Sequence, residues 1–194
     1  MNKNFVVTSF YTPGTVYEKS AKERLIPSLK QFDIPHFVVP MKTSGSWEAN
    51  IHCKADVIDW ALGGWPMSNV VWLDADAEVV QYPELFAENE WDFAPHWREP
   101  RKNLSSGTMF FRNNVLTRRL VEHWQFESGH VDPEEITEQR LLSKILPTHD
   151  RLRVGDVGLA YSTIFDGPQP EDDVVIRHHQ ASRTGRMEVA KLPK

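Results

Sequence analysis

The feature that most constrains the fold is residues 70–80, which read VVWLDADAEVV. Four apolar residues, two of them β-branched, are typical of a strand that is buried on both faces of its sheet. This strand leads directly into Asp74 and Asp76. Because the carboxyl ends of strands in an open α/β sheet face the ligand crevice, we expect both acids to lie where ligands bind.

Two carboxylates one residue apart suit a hard divalent cation. In an extended backbone Asp74 and Asp76 point the same way, so both carboxylates can face one ion. Mg²⁺ and Mn²⁺ prefer oxygen ligands, and Mg²⁺ is commonly bound by one or two carboxylates together with substrate phosphates. The alternative is a strand that ends in an ordinary polar turn, where Asp is common. The triplet alone leaves both interpretations open.

Length and composition predict one domain spanning residues 1–194, since 40% of the residues are hydrophobic and 25% are charged. The sequence contains no apolar run of about 18 residues, and residues 1–7 lack the apolar core of a signal peptide. The single cysteine, Cys53, excludes an internal disulfide, and we expect a cytoplasmic protein. The net charge of -5 argues against general nucleic-acid binding.

The first 40 residues predict a βαβ unit. A strand is predicted at 4–9 and another at 36–40. Between them, apolar residues at helical spacing lie on one face, with Pro27 expected to kink the helix. These residues are Tyr17, Ala21, Leu25, Leu29 and Phe32. Strand, helix and strand in this order indicate a parallel sheet with a right-handed crossover.

The remaining sequence alternates helices and strands. Asp132 and Pro133 are predicted to start a helix as N-cap and first residue. Helices are predicted at 48–62, 114–126 and 134–146, and a helical turn at 82–86. Strands are predicted at 91–94, 105–111, 152–154 and 173–176, with a polar loop at 96–103. The prediction is an α/β fold in which helices flank a mixed, mostly parallel sheet.

Two short blocks carry a resemblance to a known class. Residues 71–77 read VWLDADA and residues 178–183 read HHQASR. With the order of the elements, they resemble the GT-A class of nucleotide-diphospho-sugar glycosyltransferases over residues 4–186. The resemblance implies a single-domain, Rossmann-like GT-A fold that uses Mn²⁺ or Mg²⁺. It also implies sugar transfer from a nucleotide-diphospho-sugar donor to a hydroxyl of a glycan or small molecule, or to a modified nucleobase in DNA.

The resemblance implies a metal centre. Asp74 would face the ribose or the metal, and Asp76 would bind the metal and serve catalysis. A late histidine would complete the set of ligands. His178 is preferred because it opens the second block, and His179 is the alternative because adjacent strand residues point to opposite faces.

The resemblance also implies donor and acceptor contacts. Arg183 would lie beside the diphosphate, where a guanidinium suits phosphate oxygens. Lys54 would either contact a phosphate or extend to solvent. The other predicted nucleotide-sugar contacts are Thr8, Ser9, Tyr11, Asp74, Ala75, Gly107 and Thr108.

The resemblance implies Glu138 as the general base, because relatives often have an acid at this place on the late helix. An inverting enzyme needs a carboxylate that takes the acceptor's proton, whereas a retaining enzyme can act without a protein base. A solvated helix face is the alternative interpretation of Glu138. Glu134 and Glu135 compete for the same role, although acids near a helix start are also explained by the helix dipole.

Three rival interpretations remain. The haloacid-dehalogenase phosphatases also place Asp-x-Asp after an apolar strand, but Glu78 stands where they usually have Thr or Val. A binding module with the same fold and no turnover is the second rival. A transferase that acts on a modified base in DNA is the third. Such an enzyme would need the base extruded from the duplex and a local basic groove for the backbone. The residues available for such a groove are Arg98, Arg101, Lys102, Arg118, Arg119, Arg151, Arg153 and Arg186.

Overall fold

The computed structural model describes residues 4–99, 102–171 and 173–192. The strands are β1 (Phe5–Tyr11), β2 (His36–Pro40), β3 (Asn69–Leu73), β4 (Ala77–Val79), β5 (Phe93–Trp97), β6 (Leu104–Phe111), β7 (Thr163–Ile164) and β8 (Ile176–His178). The helices are α1 (Val16–Ser20), α2 (Ile26–Gln31), α3 (Trp47–His52), α4 (Lys54–Gly64), α5 (Val115–Ser128), α6 (Glu138–Ile145) and α7 (Ser182–Val189).

The strands form two sheets. The larger has five strands in the order β2-β1-β3-β6-β5, and β1 runs parallel to both β2 and β3. Strand β6 is antiparallel to β3 and β5. The smaller sheet has the order β4-β8-β7, and its β4–β8 pairing is antiparallel. The predicted mixed α/β fold is therefore confirmed.

Strand β3 is buried on both faces of the larger sheet, as its apolar run predicts. Val70 and Trp72 pack into the cluster that contains residues of α4, α5 and α6. Val71 and Leu73 pack into the opposite cluster, with residues of α2 and β4. This double burial fixes the end of β3, and hence the two acids that follow it. Within the described ranges no helix is long and apolar enough to cross a bilayer.

The first helical region contains the irregularity expected near Pro27. Between α1 and α2, a π-helical segment spans Ala21–Leu25, and the Ile26 N–H donates to Ala21 O. Proline lacks an N–H, so a regular helix would leave one carbonyl without its donor. The π turn directly before Pro27 accommodates this defect without ending the helical path.

Some predicted boundaries are wrong. The helix predicted at 48–62 is divided at Cys53, whose N–H donates to Asn50 O. Asp132 does not start α6, because Thr137 is the N-cap and its side chain accepts from Arg140 N. Of residues 152–154, Val154 forms an isolated bridge to Phe93.

The end of the chain also differs from the prediction. The late strand lies at Ile176–His178 and not at 173–176. Residues 182–189, for which no helix is predicted from the sequence, form α7, which packs against α1 and α3.

Candidate metal centre and ligand cavity

The pairing of β4 with β8 brings distant parts of the chain to the end of β3. Asp74 N–H donates to Gly107 O at 2.9 Å, which ties the turn after β3 to β6. Ala77 then pairs with His178 across the small sheet. As a result, Asp74, Asp76 and His178 each offer a ligand atom, and these atoms all lie within 4.8 Å of one another.

Each carboxylate is held by one oxygen. Asp74 Oδ1 accepts from Lys54 Nζ at 3.0 Å and from Trp72 Nε1 at 2.8 Å. Asp76 Oδ2 accepts from the Ala181 backbone N–H at 2.7 Å. Asp74 Oδ2 takes no part in these contacts, and Asp76 Oδ1 lies 3.4 Å from Nδ1 of His178, the third candidate ligand.

The ring of His178 has a hydrogen-bond partner at each nitrogen. Its Nε2 lies 2.8 Å from Thr108 Oγ1, and its Nδ1 lies 3.4 Å from Asp76 Oδ1. Burial alone would raise the pKa of Asp76, but the hydrogen bonds from His178 and the Ala181 N–H hold that pKa below its ordinary value. Asp76 is therefore an ionised carboxylate, the form that binds a cation.

Gly107 leaves space between the remaining ligand atoms. A Cβ at this position would lie 3.4 Å from Asp74 Oδ2 and 3.5 Å from His178 Nδ1. The same Cβ would be 3.2 Å from His178 Cε1. The unused atoms of the two residues thus border a space that any larger residue would fill. Two carboxylates and an imidazole around such a space fit a divalent cation.

His179 lies apart from this group. Its Nε2 is 2.8 Å from Glu78 Oε2, and its ring stacks on Phe165 with centroids 6.0 Å apart. Neighbouring residues leave an extended strand on opposite faces. Of the two histidines predicted as alternatives, the structure brings His178 to the acids.

Lys54 is buried between two carboxylates. Its Nζ lies 3.0 Å from Asp74 Oδ1, 3.0 Å from Glu138 Oε1, and 3.2 Å from both Ser106 O and Ser106 Oγ. Burial alone would lower the pKa of Lys54, but Asp74 and Glu138 raise it above its ordinary value. An ammonium has three hydrogens to donate, and these contacts use them. Lys54 therefore orients Asp74. It is buried and does not extend to solvent, and its predicted contact with a phosphate stays a prediction.

Glu138 lies in the same buried group. Ser106 Oγ donates to Glu138 Oε1 at 2.6 Å, beside the ion pair with Lys54. Burial alone would raise the pKa of Glu138, but Lys54 and Ser106 hold it below its ordinary value. A carboxylate with a lowered pKa is a weaker proton acceptor, which counts against the general-base prediction. Glu134 and Glu135 are exposed and do not line the cavity.

A cavity of about 320 Å³ opens beside the candidate metal centre. Strands β1, β3 and β6 contribute their ends to its wall, and helices α3, α6 and α7 contribute side chains. The predicted site residues that line it are Tyr11, Lys54, Asp74, Ala75, Asp76, Gly107, Glu138 and His178. The structure thus gathers most of the predicted set at one edge of the sheet.

Three predicted donor contacts do not line this cavity. Thr8 and Ser9 are fully buried within β1, and Thr8 Oγ1 donates to Phe37 O at 3.1 Å. Strand β1 runs to Tyr11, two residues beyond the predicted end, so Tyr11 and Thr12 occupy the cavity wall instead. Thr108 is also fully buried and contacts the ring of His178.

Arg183 is likewise not where the prediction put it. It pairs with Asp166 at 2.6 Å and 3.0 Å on the surface, outside the cavity lining. Arg186, one turn further along α7, lines the cavity, and its guanidinium lies 3.8 Å from the centre of the Trp47 ring. The sequence prediction missed Trp47 as a site residue, because α7, which brings Arg186 onto it, was not predicted.

The basic residues suggested for a DNA-binding groove are dispersed. Arg98 and Arg186 line the main cavity, and Arg101 lies outside the described residues. The rest lie elsewhere: Lys102 in the β5–β6 loop, Arg118 bonded to Asn113, Arg153 bonded to Asp92, and Arg119 and Arg151 at a second cavity of about 160 Å³. The described residues therefore form no continuous basic groove.

Solved structures share this fold over most of the chain. A glycosyltransferase involved in the glycosylation of the major capsid of PBCV-1 matches with a TM-score of 0.71 and 15% sequence identity, over 96% of this chain and 97% of that chain. The galactosyltransferase LgtC, solved with donor and acceptor sugar analogues, matches with a TM-score of 0.53 and 11% identity, over 97% and 98% of the two chains.

A third solved structure is matched over only part of its own length. The glycosyltransferase GlyE of Streptococcus pneumoniae TIGR4 matches with a TM-score of 0.54 and 12% identity, over 99% of this chain and 61% of its own. No protein-family model matches the chain, and no curated protein matches its sequence. The structural matches confirm the predicted GT-A glycosyltransferase fold.

Proposed function

We propose that this chain is a divalent-cation-dependent glycosyltransferase. It would move a sugar from a nucleotide-diphospho-sugar donor to a hydroxyl of a glycan or small molecule. The observation that carries the proposal is the group formed by Asp74, Asp76 and His178, whose ligand atoms lie within 4.8 Å of one another. Asp74 Oδ2 and His178 Nδ1 border the space beside Gly107. The shared fold and the adjacent cavity support it.

The described side chains supply the binding functions that such a reaction needs. Asp74, Asp76 and His178 would hold Mn²⁺ or Mg²⁺, which would neutralise the negative charge of a diphosphate leaving group. Lys54 fixes one oxygen of Asp74, and the Ala181 N–H fixes one oxygen of Asp76. These contacts hold the ligands in place before the donor arrives, which reduces the cost of ordering them.

Arg186 is the side chain we propose for contact with the donor phosphates. It lines the cavity and stacks on Trp47, and among the described residues it has no carboxylate partner. A guanidinium presents several donors in one plane, which suits phosphate oxygens. This proposal replaces Arg183, whose guanidinium is paired with Asp166.

Glu138 is proposed to act on the sugar or acceptor as a fixed hydrogen-bond acceptor. Its Oε1 accepts hydrogen bonds from Lys54 and Ser106. Glu138 also lines the cavity, and its other oxygen, Oε2, is the one proposed to accept from the ligand. The ion pair keeps Glu138 ionised, so it can accept hydrogen bonds from sugar hydroxyls. Glu138→Gln is therefore expected to weaken sugar binding and to leave the pH dependence of the transfer rate unchanged.

The proposal is tested by thermal shift with a panel of nucleoside diphosphates and sugar nucleotides, with and without Mn²⁺. At least one uridine- or guanosine-linked ligand should raise the melting temperature only when metal is present. Asp76→Ala should abolish that shift, because it removes one ligand of the cation. The absence of any metal-dependent shift in the wild-type protein would contradict the proposal.

Two further assays separate the rivals. Release of a nucleoside diphosphate from the stabilising sugar nucleotide is expected of a transferase, whereas a binding module would give the thermal shift without release. The phosphatase interpretation would instead be supported if the wild type hydrolysed a generic phosphate ester in the presence of Mg²⁺ and Asp74→Asn did not.

A further inference from the structure

A buried hydroxyl lies behind the ring of His178. Thr108 is fully buried on β6, and its Oγ1 lies 2.8 Å from His178 Nε2. His178 is itself only 4% exposed. The preceding residue, Gly107, leaves the space that borders the other ring nitrogen, Nδ1. Two neighbouring residues of β6 thus lie beside the two nitrogens of the His178 ring, Gly107 beside Nδ1 and Thr108 beside Nε2.

The chemistry of imidazole makes these two sides dependent on each other. A neutral ring has a hydrogen on one nitrogen and a lone pair on the other, and only the lone pair binds a cation. In this structure Nδ1 faces Asp76 at 3.4 Å, on the side of the candidate metal centre. A cation bound there requires the hydrogen to sit on Nε2, where it needs an acceptor in a buried environment.

We propose that Thr108 is a positioning residue that presents Nδ1 of His178 to the cation by accepting a hydrogen bond from Nε2–H. The proposal rests on the metal-dependent function proposed above. Hydrogen bonds to the second nitrogen of a ligating histidine fix its tautomer and its ring orientation. Thr108 would do this from inside the sheet, without touching the cation or the substrate.

A hydroxyl is suited to this position because it both donates and accepts. When Nδ1 carries the hydrogen and donates toward Asp76, Thr108 donates to Nε2. When the hydrogen moves to Nε2, the hydroxyl rotates and accepts it. The ring keeps its orientation in both tautomers and carries one hydrogen in each, whereas a valine of the same shape could support neither.

The test uses the full chain with Thr108→Val and the conservative control Thr108→Ser. Binding of Mn²⁺ alone is measured from the electron paramagnetic resonance signal of the free ion. We expect Thr108→Val to bind Mn²⁺ about 10- to 100-fold more weakly, the usual effect of losing such a partner. Thr108→Ser should restore an affinity close to that of the wild type. Equal affinity of the valine variant and the wild type would overturn the proposal.

A second measurement needs no variant. The ¹⁵N chemical shifts of the wild-type histidines, recorded with saturating Mg²⁺ in mildly alkaline buffer, report which ring nitrogen carries the hydrogen. We expect His178 to carry it on Nε2. A hydrogen on Nδ1 in the Mg²⁺-loaded protein would overturn the proposal, even if Thr108→Val failed to fold.

Two results distinguish the role of Thr108 from the proposed metal-dependent function. A wild-type protein that binds no Mn²⁺ would remove the proposed metal-dependent function together with the role of Thr108. Normal Mn²⁺ binding that is insensitive to Thr108→Val would remove the role of Thr108 alone.

Discussion

Asp76 and Asp92 are both buried carboxylates, but their surroundings differ in one respect. Asp92 accepts hydrogen bonds on both oxygens, from Asn114 at 2.7 Å on Oδ1 and from the Arg153 N–H at 2.9 Å on Oδ2. Asp76 has one oxygen fixed by the Ala181 N–H, while its other oxygen faces His178. Both oxygens of Asp92 are thus held by groups that do not bind cations, whereas Oδ1 of Asp76 lies beside His178 Nδ1, itself a candidate ligand atom.

This difference separates a structural acid from a binding acid. Both pKa values lie below the ordinary value, because donors in each site outweigh the effect of burial. A lowered pKa therefore does not distinguish the two sites. The partners do distinguish them, because Asp76 lies beside Asp74 and His178, which offer further ligand atoms, whereas Asp92 is held by Asn114 and Arg153.

The largest expected effect is on cation binding. Asp76→Asn should weaken Mn²⁺ affinity by about 100-fold or more, because it removes the charge of a direct ligand. Loss of a residue that only hydrogen-bonds to a ligand typically costs about 10- to 100-fold. Asp92→Asn is the matched control and should leave Mn²⁺ affinity unchanged. Titration of Mn²⁺ by electron paramagnetic resonance provides the measurement. Equal losses in the two variants would remove the distinction between the two acids.

A smaller effect is expected from filling the space beside the ligands. Gly107→Ala places a methyl group 3.4 Å from Asp74 Oδ2 and 3.5 Å from His178 Nδ1. We expect Mn²⁺ affinity to fall roughly 10-fold, in the range of perturbed metal ligands. Gly63→Ala is the control, because nothing lies within 4 Å of its added methyl group. If both alanine variants bind Mn²⁺ as the wild type does, the cation is not bound beside Gly107.

The smallest expected effect concerns folding stability. Asp92→Asn should lower the free energy of unfolding at neutral pH by roughly 1–3 kcal/mol, the cost of impairing hydrogen bonds to a buried charge. The lower part of that range is expected, because the side chain of its partner Arg153 is 58% exposed. Chemical denaturation of both proteins at several pH values gives the comparison.

The pH dependence of that difference has a defined sign. The pKa of Asp92 is lowered in the folded protein, so its contribution is present above the unfolded value of about 3.9. The contribution is lost as the pH falls through the folded-state pKa. The wild type and Asp92→Asn should therefore converge in stability under acid conditions. A difference that grows toward low pH would contradict this assignment.

Local patterns predicted the parts of the fold that local interactions determine. The apolar run before Asp74 identified β3, and its burial on both faces indicated a place inside the sheet, where β3 lies between β1 and β6. The same reasoning located both acids at the ligand-facing edge. These features depend on residues close in sequence, which is why the sequence alone was sufficient.

The choice between the two histidines depended on a distant pairing. His178 reaches the acids because β8 pairs with β4 in a register that sets Ala77 opposite His178. A shift of one residue would have presented His179 instead. Nothing within residues 178–183 specifies that register.

Helix α7 was missed for a related reason. Its sequence is polar and contains Gly185, which is unfavourable inside a helix. A Cβ at Gly185 would overlap the ring of Tyr17, so the close contact between α7 and α1 requires glycine. This packing of distant elements overrides the weak local preference, and it also brings Arg186 to the cavity.

The most direct test is X-ray diffraction from crystals soaked with Mn²⁺, using anomalous scattering to locate the ion. We expect an anomalous peak beside Gly107, within bonding distance of Asp74, Asp76 and His178, and none at Asp92. A peak elsewhere, or none at this group under saturating Mn²⁺, would contradict the assignment of these three residues as the cation site.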